Sequence, residues 1–123
     1  LCFMWTTAPM LVRSLAVLAA WEFDYVSQLV WLKDRIGTGY WARNRHEIVL
    51  IGKRGAFPCP SPAPFPDSVM IAPVREHSRK PPALHDRIEA VWPDADKLEL
   101  FARSPRPGWA VWGNQTDRFE ATP

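Results

Sequence analysis

Two cysteines in 123 residues, Cys2 and Cys59, are too few for a disulfide framework and have no metal-ligand spacing. The expectation is therefore a reducing, cytoplasmic compartment and no metal site. No apolar run is long enough to cross a bilayer. The Ala/Leu-rich segment 8–20 has about 13 residues against the roughly 20 that a spanning helix needs. Arg13 sits inside that segment rather than ahead of it, which excludes a secretory signal. Charge of one sign is also scarce. The net +2 from 15 basic and 13 acidic residues does not by itself argue for an anionic partner. No Gly-rich dinucleotide fingerprint is present. What remains is an ordinary globular balance, 47% hydrophobic and 23% charged, in a length that makes one domain with a modest core.

Tryptophan and proline are plentiful. The seven Trp are read first as large core residues, with ring stacking as the alternative role. Pro58, Pro60, Pro62, Pro64 and Pro66 exclude a helix or a central strand over 56–68, which is predicted to be a surface loop. Residues 2–6 read as a strand. Thr6 or Thr7 is positioned to cap a helix with Pro9 in its first turn, and Leu11, Leu15 and Leu18 form its core stripe. Residues 25–32 and 47–52 read as strands, the second apolar enough to be central, and 68–73 as a short edge strand. Pro81 and Pro82 start a second helix with Leu84, Ile88, Val91 and Trp92 on one face, stopped by Pro93. A strand–turn–strand follows over 97–117, with 118–123 as a frayed tail. This order predicts an α/β fold, a Rossmann-like sheet with helices on its faces.

Two segments carry chemistry. In 97–117, Glu99, Arg103, Asn114 and Gln115 stand near strand ends, where ligands of open α/β sheets sit. In 33–46, Lys33, Arg35, Arg43 and Arg45 surround Tyr40 and Trp41 in a loop set by Gly37 and Gly39. Cations interleaved with rings suit single-stranded nucleic acid, because guanidiniums meet phosphates and rings stack on bases. A solvated loop whose aromatics anchor it to the core explains the same composition. His46 and Glu47 stand at the entrance of the central strand, where a lone His is more often a structural hydrogen bonder than a catalyst.

His77-Ser78-Arg79-Lys80-Pro81, a helix, Glu99-Leu100-Phe101-Ala102-Arg103 and Trp112-Gly113-Asn114-Gln115 occur in that order. This combination, which spans nearly the whole chain, resembles the MT-A70 family of S-adenosylmethionine-dependent adenine-N6 methyltransferases. The resemblance implies one partial methyltransferase domain over 1–123, using S-adenosylmethionine in a bacterial or phage-type cytoplasm. It implies that Lys80 meets the cofactor carboxylate, Arg103 and Asn114 the ribose hydroxyls, and Gln115 the ribose or adenine. Phe101 would wall the adenosine, and Glu99 belongs to the same cofactor set. Gly37-Thr38-Gly39-Tyr40-Trp41 through His46-Glu47 looks like the family's substrate-side loop. That would make Lys33, Arg35, Tyr40, Trp41, Arg43, Arg45 and His46 nucleic-acid contacts, with Glu47 orienting Lys80.

The family's Asp-Pro-Pro-Trp motif, which accepts the adenine amine and holds the base flat, is nowhere in these residues. The chain opens on a strand without an initiator Met, so a missing upstream strand ending in that motif is expected. The chain alone is then inactive, supplying the cofactor-side half of an enzyme acting on DNA ahead of RNA, with a second methyltransferase subunit as a partner. The alternative is a catalytically inactive, nucleic-acid-binding or scaffold subunit. Ser104-Pro105-Arg106-Pro107 replaces the His-Asn of eukaryotic members, so no contact from that turn is carried over.

Overall fold

The apolar run 47–52 has no polar face to offer solvent and is satisfied only as an inner strand. The computed structural model, which describes residues 1–59 and 67–120, puts it there. β3 (His46–Lys53) lies between β1 (Cys2–Thr6) and β2 (Asp24–Leu32), and β4 (Val69–Ile71) is the edge beyond β2. β1 and β2 run antiparallel to β3 and β4 runs parallel to β2, so this sheet is mixed. With two α-helices the class is α/β, as the sequence predicts. Most of the proline-rich segment 56–68 falls outside the described residues. Two compact units divide the chain, Leu1–Val74 and Arg75–Pro123, and each is described by itself.

In the first unit a 3-10 turn (Ala8–Met10) leads into α1 (Leu11–Ala20). Leu11, Leu15 and Leu18 pack with Cys2, Met4, Ile48 and Leu50, which is the stripe read from the sequence. The expected side-chain cap is absent. The Thr7 carbonyl accepts the Met10 N–H at 3.1 Å instead, and the Thr6 hydroxyl pairs with that of Ser14 at 2.6 Å. At the other end of α1, Arg54 donates to the Trp21 carbonyl at 2.6 Å and stacks on Phe23 at 4.2 Å. Gly52 is required by close approach, since a Cβ there would lie 2.9 Å from Phe23 Cβ and 3.0 Å from Leu18 Cδ1. On the opposite face of the sheet, alternation places Trp5, Leu29, Trp31 and Val49 together. Trp31 is fully buried, meets Trp5 edge-on at 5.9 Å and donates its indole N–H to the Ala72 carbonyl at 2.8 Å.

In the second unit α2 (Ala83–Val91) follows Pro81-Pro82, buries Leu84 and Ile88, and ends before Pro93. β5 (Lys97–Leu100) and β6 (Trp109–Trp112) pair in parallel, with Leu100 opposite Trp112. The two strands form as read from the sequence, and residues 101–108 carry the chain back so that both run the same way. Arg106 explains this. It is buried, and it donates from Nε and Nη2 to Glu89 at 2.7 and 2.9 Å and from Nη2 to Asp86 at 2.6 Å. Trp109 donates to the same Glu89 carboxylate at 2.8 Å. The connection is thereby fastened to α2 and cannot close as a two-residue hairpin.

The end of the described chain is not frayed as expected. Phe119 N–H donates to the Arg103 carbonyl at 2.9 Å and Arg118 N–H to the Gln115 carbonyl at 3.0 Å. An apolar ring among arginines has more to gain from stacking than from solvent.

Candidate functional site

Parallel pairing puts the carboxyl ends of β5 and β6 side by side. An antiparallel pair would have put Phe101 and Asn114 at opposite ends. Instead Ala102 N–H donates to the Trp112 carbonyl at 3.2 Å, and the Phe101 and Trp112 rings meet edge-on at 5.4 Å. Phe101 has φ +59, a left-handed conformation unusual for a bulky residue, and its ring is largely exposed. Gly113 has φ +147, and a Cβ there would lie 3.0 Å from Phe101 Cα. Beyond it Asn114 and Gln115 present exposed amides. Four of the six residues read as cofactor-side are therefore neighbours at one sheet edge.

The other two sit differently. Glu99, inside β5, accepts from His85 Nε2 at 3.0 Å, and His85 packs edge-on against Trp109 at 4.8 Å. Lys80 is half-buried ahead of α2, and its carbonyl accepts from Arg75 Nη2 at 2.9 Å. The segment it belongs to reaches the sheet edge through Arg103, which donates from Nη1 to the His77 carbonyl at 2.6 Å. Ser78 in the same segment has φ +57, so two of the three described non-glycine residues with positive φ fall in these motifs.

Electrostatics in this unit is dominated by the α2 clamp. Hydrogen bonds from Arg106 first, then from Trp109, hold the Glu89 carboxyl down to about 2. The bond to Glu89, and after it the bond to Asp86, raises the Arg106 guanidinium further above its ordinary value against the effect of burial. Asp86 is largely exposed, so its share is small.

In the first unit, residues 33–45 form an ordered loop between β2 and β3. Gly37 N–H donates to the Asn44 carbonyl at 2.7 Å, Asn44 N–H to the Thr38 carbonyl at 3.0 Å, and Lys33 N–H to the Arg45 carbonyl at 2.9 Å. Arg43 and Arg45 each donate Nε to a loop carbonyl, of Gly37 at 3.1 Å and Lys33 at 3.3 Å, and both side chains are exposed. Arg35 is exposed as well, and His46 is half-buried as the first residue of β3. Tyr40 and Trp41 project fully into solvent, at 108% and 104% relative exposure, so they do not anchor the loop to the core. They line an open cleft of about 750 Å3 with Ala8, Pro9, Thr38, Gly39, Ala42 and Asn44. Lys33 differs from the other cations. Its ammonium lies 2.8 Å from the buried Glu47 carboxylate and 5.0 Å from the Trp31 ring centre.

Sequence reading missed Arg106, His85 and Phe119. Arg106 stands between two prolines and looks like an exposed turn residue. His85 lies one residue after the apolar Leu84, and nothing local to it points to Glu99. Phe119 had one available signal, being the single aromatic in a polar tail. Among the described residues no cluster of His, Cys, Asp or Glu could hold a metal, and no helix is long and apolar enough to cross a membrane.

Comparison with known proteins gives a consistent result. The sequence model of the MT-A70 family matches residues 1–115. Type II methyltransferase M.MunI of Mycoplasma sp is 37% identical over 112 residues, covering 90% of this chain and 48% of that protein. An N(6)-adenosine-methyltransferase MT-A70-like protein of Arabidopsis thaliana is 35% identical, with 94% of this chain and 18% of that protein covered. The human N(6)-adenosine-methyltransferase catalytic subunit METTL3 is 31% identical, with 94% and 21% covered. The chain thus spans about half the length of the first of these relatives and about a fifth of the other two.

Proposed function

The chain belongs to the MT-A70 family, and from that premise we propose that it forms the cofactor-side part of an S-adenosylmethionine-dependent enzyme that methylates N6 of adenine in nucleic acid. The observation that carries this reading is the parallel β5–β6 pair, whose adjoining carboxyl ends bring Phe101, Arg103, Asn114 and Gln115 together. DNA ahead of RNA is the substrate class of this reading.

The residues at this edge fit the cofactor's chemistry. The exposed Phe101 ring offers a wall for adenine, and the open amides of Asn114 and Gln115 offer donors and acceptors for ribose hydroxyls. The Arg103 guanidinium gives Nη1 to the His77 carbonyl at 2.6 Å and keeps further N–H donors for a ribose oxygen. Lys80 is the point charge for the carboxylate. When bound, the sulfonium supplies an electrophilic methyl group. This chain's residues bind and orient the molecule and exclude water from its adenosine half.

On the substrate side, the Tyr40–Trp41 tip and the exposed Arg35, Arg43 and Arg45 suit a single strand. Rings standing free of the core are available to stack on bases, and guanidiniums beside them meet phosphates. Lys33 contributes less in this reading, since Glu47 already neutralises it. Calorimetry with S-adenosylhomocysteine tests the cofactor side. Asn114→Ala and Arg103→Ala should each weaken binding by about tenfold, on the order of one charge-assisted or paired hydrogen bond, and Arg43→Ala should leave it unchanged. Unaltered affinity in both edge variants would overturn the reading.

A further inference from the structure

Three arginines of the second unit crowd one aromatic ring, and a fourth stands beside one of them, with almost no countercharge. Arg79, Arg103 and Arg118 place their guanidinium carbons 4.1, 4.8 and 5.8 Å from the centre of the Phe119 ring. Arg75 stands beside Arg79, and burial together with the Arg79 charge pushes its guanidinium below the ordinary value. Among the described residues, Glu76 on Arg79, at 3.1 Å from Nη1, is the one carboxylate paired with any of the four. It is exposed, and one carboxylate does not balance four guanidiniums.

Two of these arginines also carry orphaned donors. Three buried side-chain nitrogens have no partner among the described residues, and two of them are Arg75 Nε and Arg103 Nε. Buried donors without acceptors are uncommon and call for an explanation such as an absent ion. Contact with the Phe119 ring holds the Arg79 and Arg103 guanidiniums near it, with Arg118 at its rim, and planar guanidinium forks suit tetrahedral oxyanions.

We propose that Arg79, Arg103 and Arg118 around Phe119, together with Arg75 beside Arg79, form a phosphate-binding site. This goes beyond the cofactor reading. Arg75, Arg79 and Arg118 have no part in that reading, and Arg103 borders both sites. The phosphate belongs either to a nucleic-acid backbone or to a free ion.

The test follows the arginine Nε–H resonances of the 123-residue chain by NMR. Sodium phosphate is titrated against sodium chloride at equal ionic strength, then a single-stranded oligothymidylate is added in a second series. The Arg75 and Arg103 Nε–H signals should shift saturably with phosphate and not with chloride. Arg118→Gln and Arg79→Gln should each raise the phosphate Kd by about tenfold. Arg118 is exposed, so its replacement leaves the fold intact and keeps the test decisive if Arg79→Gln unfolds. Saturation by the oligonucleotide at a lower phosphate-group concentration than by the free ion assigns the site to a phosphodiester, and the reverse order assigns it to free phosphate. Equal shifts in chloride, or an unchanged Kd in Arg118→Gln, overturn the proposal.

Discussion

Replacing Glu89 by Gln probes the clamp that sets the direction of β6. The Glu89 carboxylate accepts from Arg106 Nε, Arg106 Nη2 and Trp109 Nε1 at 2.7, 2.9 and 2.8 Å. A Gln keeps one acceptor but turns an NH2 toward a guanidinium that can only donate. The carboxyl is held down to about 2 from the ordinary 4.5. Taken alone that is a ceiling of about 3 kcal/mol. The side chain is 36% exposed, and solvent screening reduces the expected loss to ~1–2 kcal/mol. The folded value lies below the unfolded one, so the contribution is fully present above about pH 4.5 and is lost as pH falls toward 2. Urea unfolding followed by tryptophan fluorescence should show the midpoint of Glu89→Gln lower by on the order of 1 M at neutral pH, for a slope of ~1–3 kcal/mol/M. The gap should narrow steadily below pH 4.5. A gap of constant size down to pH 3, or none at neutral pH, would refute the reasoning.

Other changes separate the sites. Gly113→Ala forces a Cβ to 3.0 Å from Phe101 Cα at φ +147, so it should cost on the order of 1–3 kcal/mol and weaken S-adenosylhomocysteine binding, read by thermal melting and calorimetry. Tyr40→Ala with Trp41→Ala should leave the melting temperature unchanged, because both rings are solvent-exposed. The same pair should reduce single-strand affinity by ~1–3 kcal/mol per stacked base in fluorescence anisotropy. Arg43→Ala with Arg45→Ala should flatten the salt dependence of that affinity, and an unchanged slope would leave those arginines a purely local role in the loop. The 123-residue chain should transfer no labelled methyl group to adenine, since none of its acidic residues stands in an Asp-Pro-Pro-aromatic context.

Much of the fold was legible because burial in this chain follows periodicity. The stripe Leu11, Leu15, Leu18 and the doubly apolar run of β3 each specify a partner surface, and both form as read. The direction of β6 was not legible. It depends on Arg106 reaching Glu89 and Asp86 from a proline-flanked turn, a contact between residues about 20 apart in sequence that no local pattern encodes. Candidate site residues were legible by motif, but their neighbours were not. The links from Glu99 to His85 and from Arg103 to the His77 carbonyl and Phe119 are tertiary. The aromatics at 40–41 were read with two alternatives, and their exposure removes the anchoring one.

The central claim is that the adjoining carboxyl ends of β5 and β6 receive the cofactor. Amide chemical-shift mapping of the 123-residue chain with S-adenosylhomocysteine tests it most directly. The account predicts saturable shifts centred on Phe101, Arg103, Gly113, Asn114 and Gln115, with residues 33–45 unmoved. Saturable binding whose shifts centre on the 33–45 loop or on α1, or no binding at millimolar ligand, would contradict it.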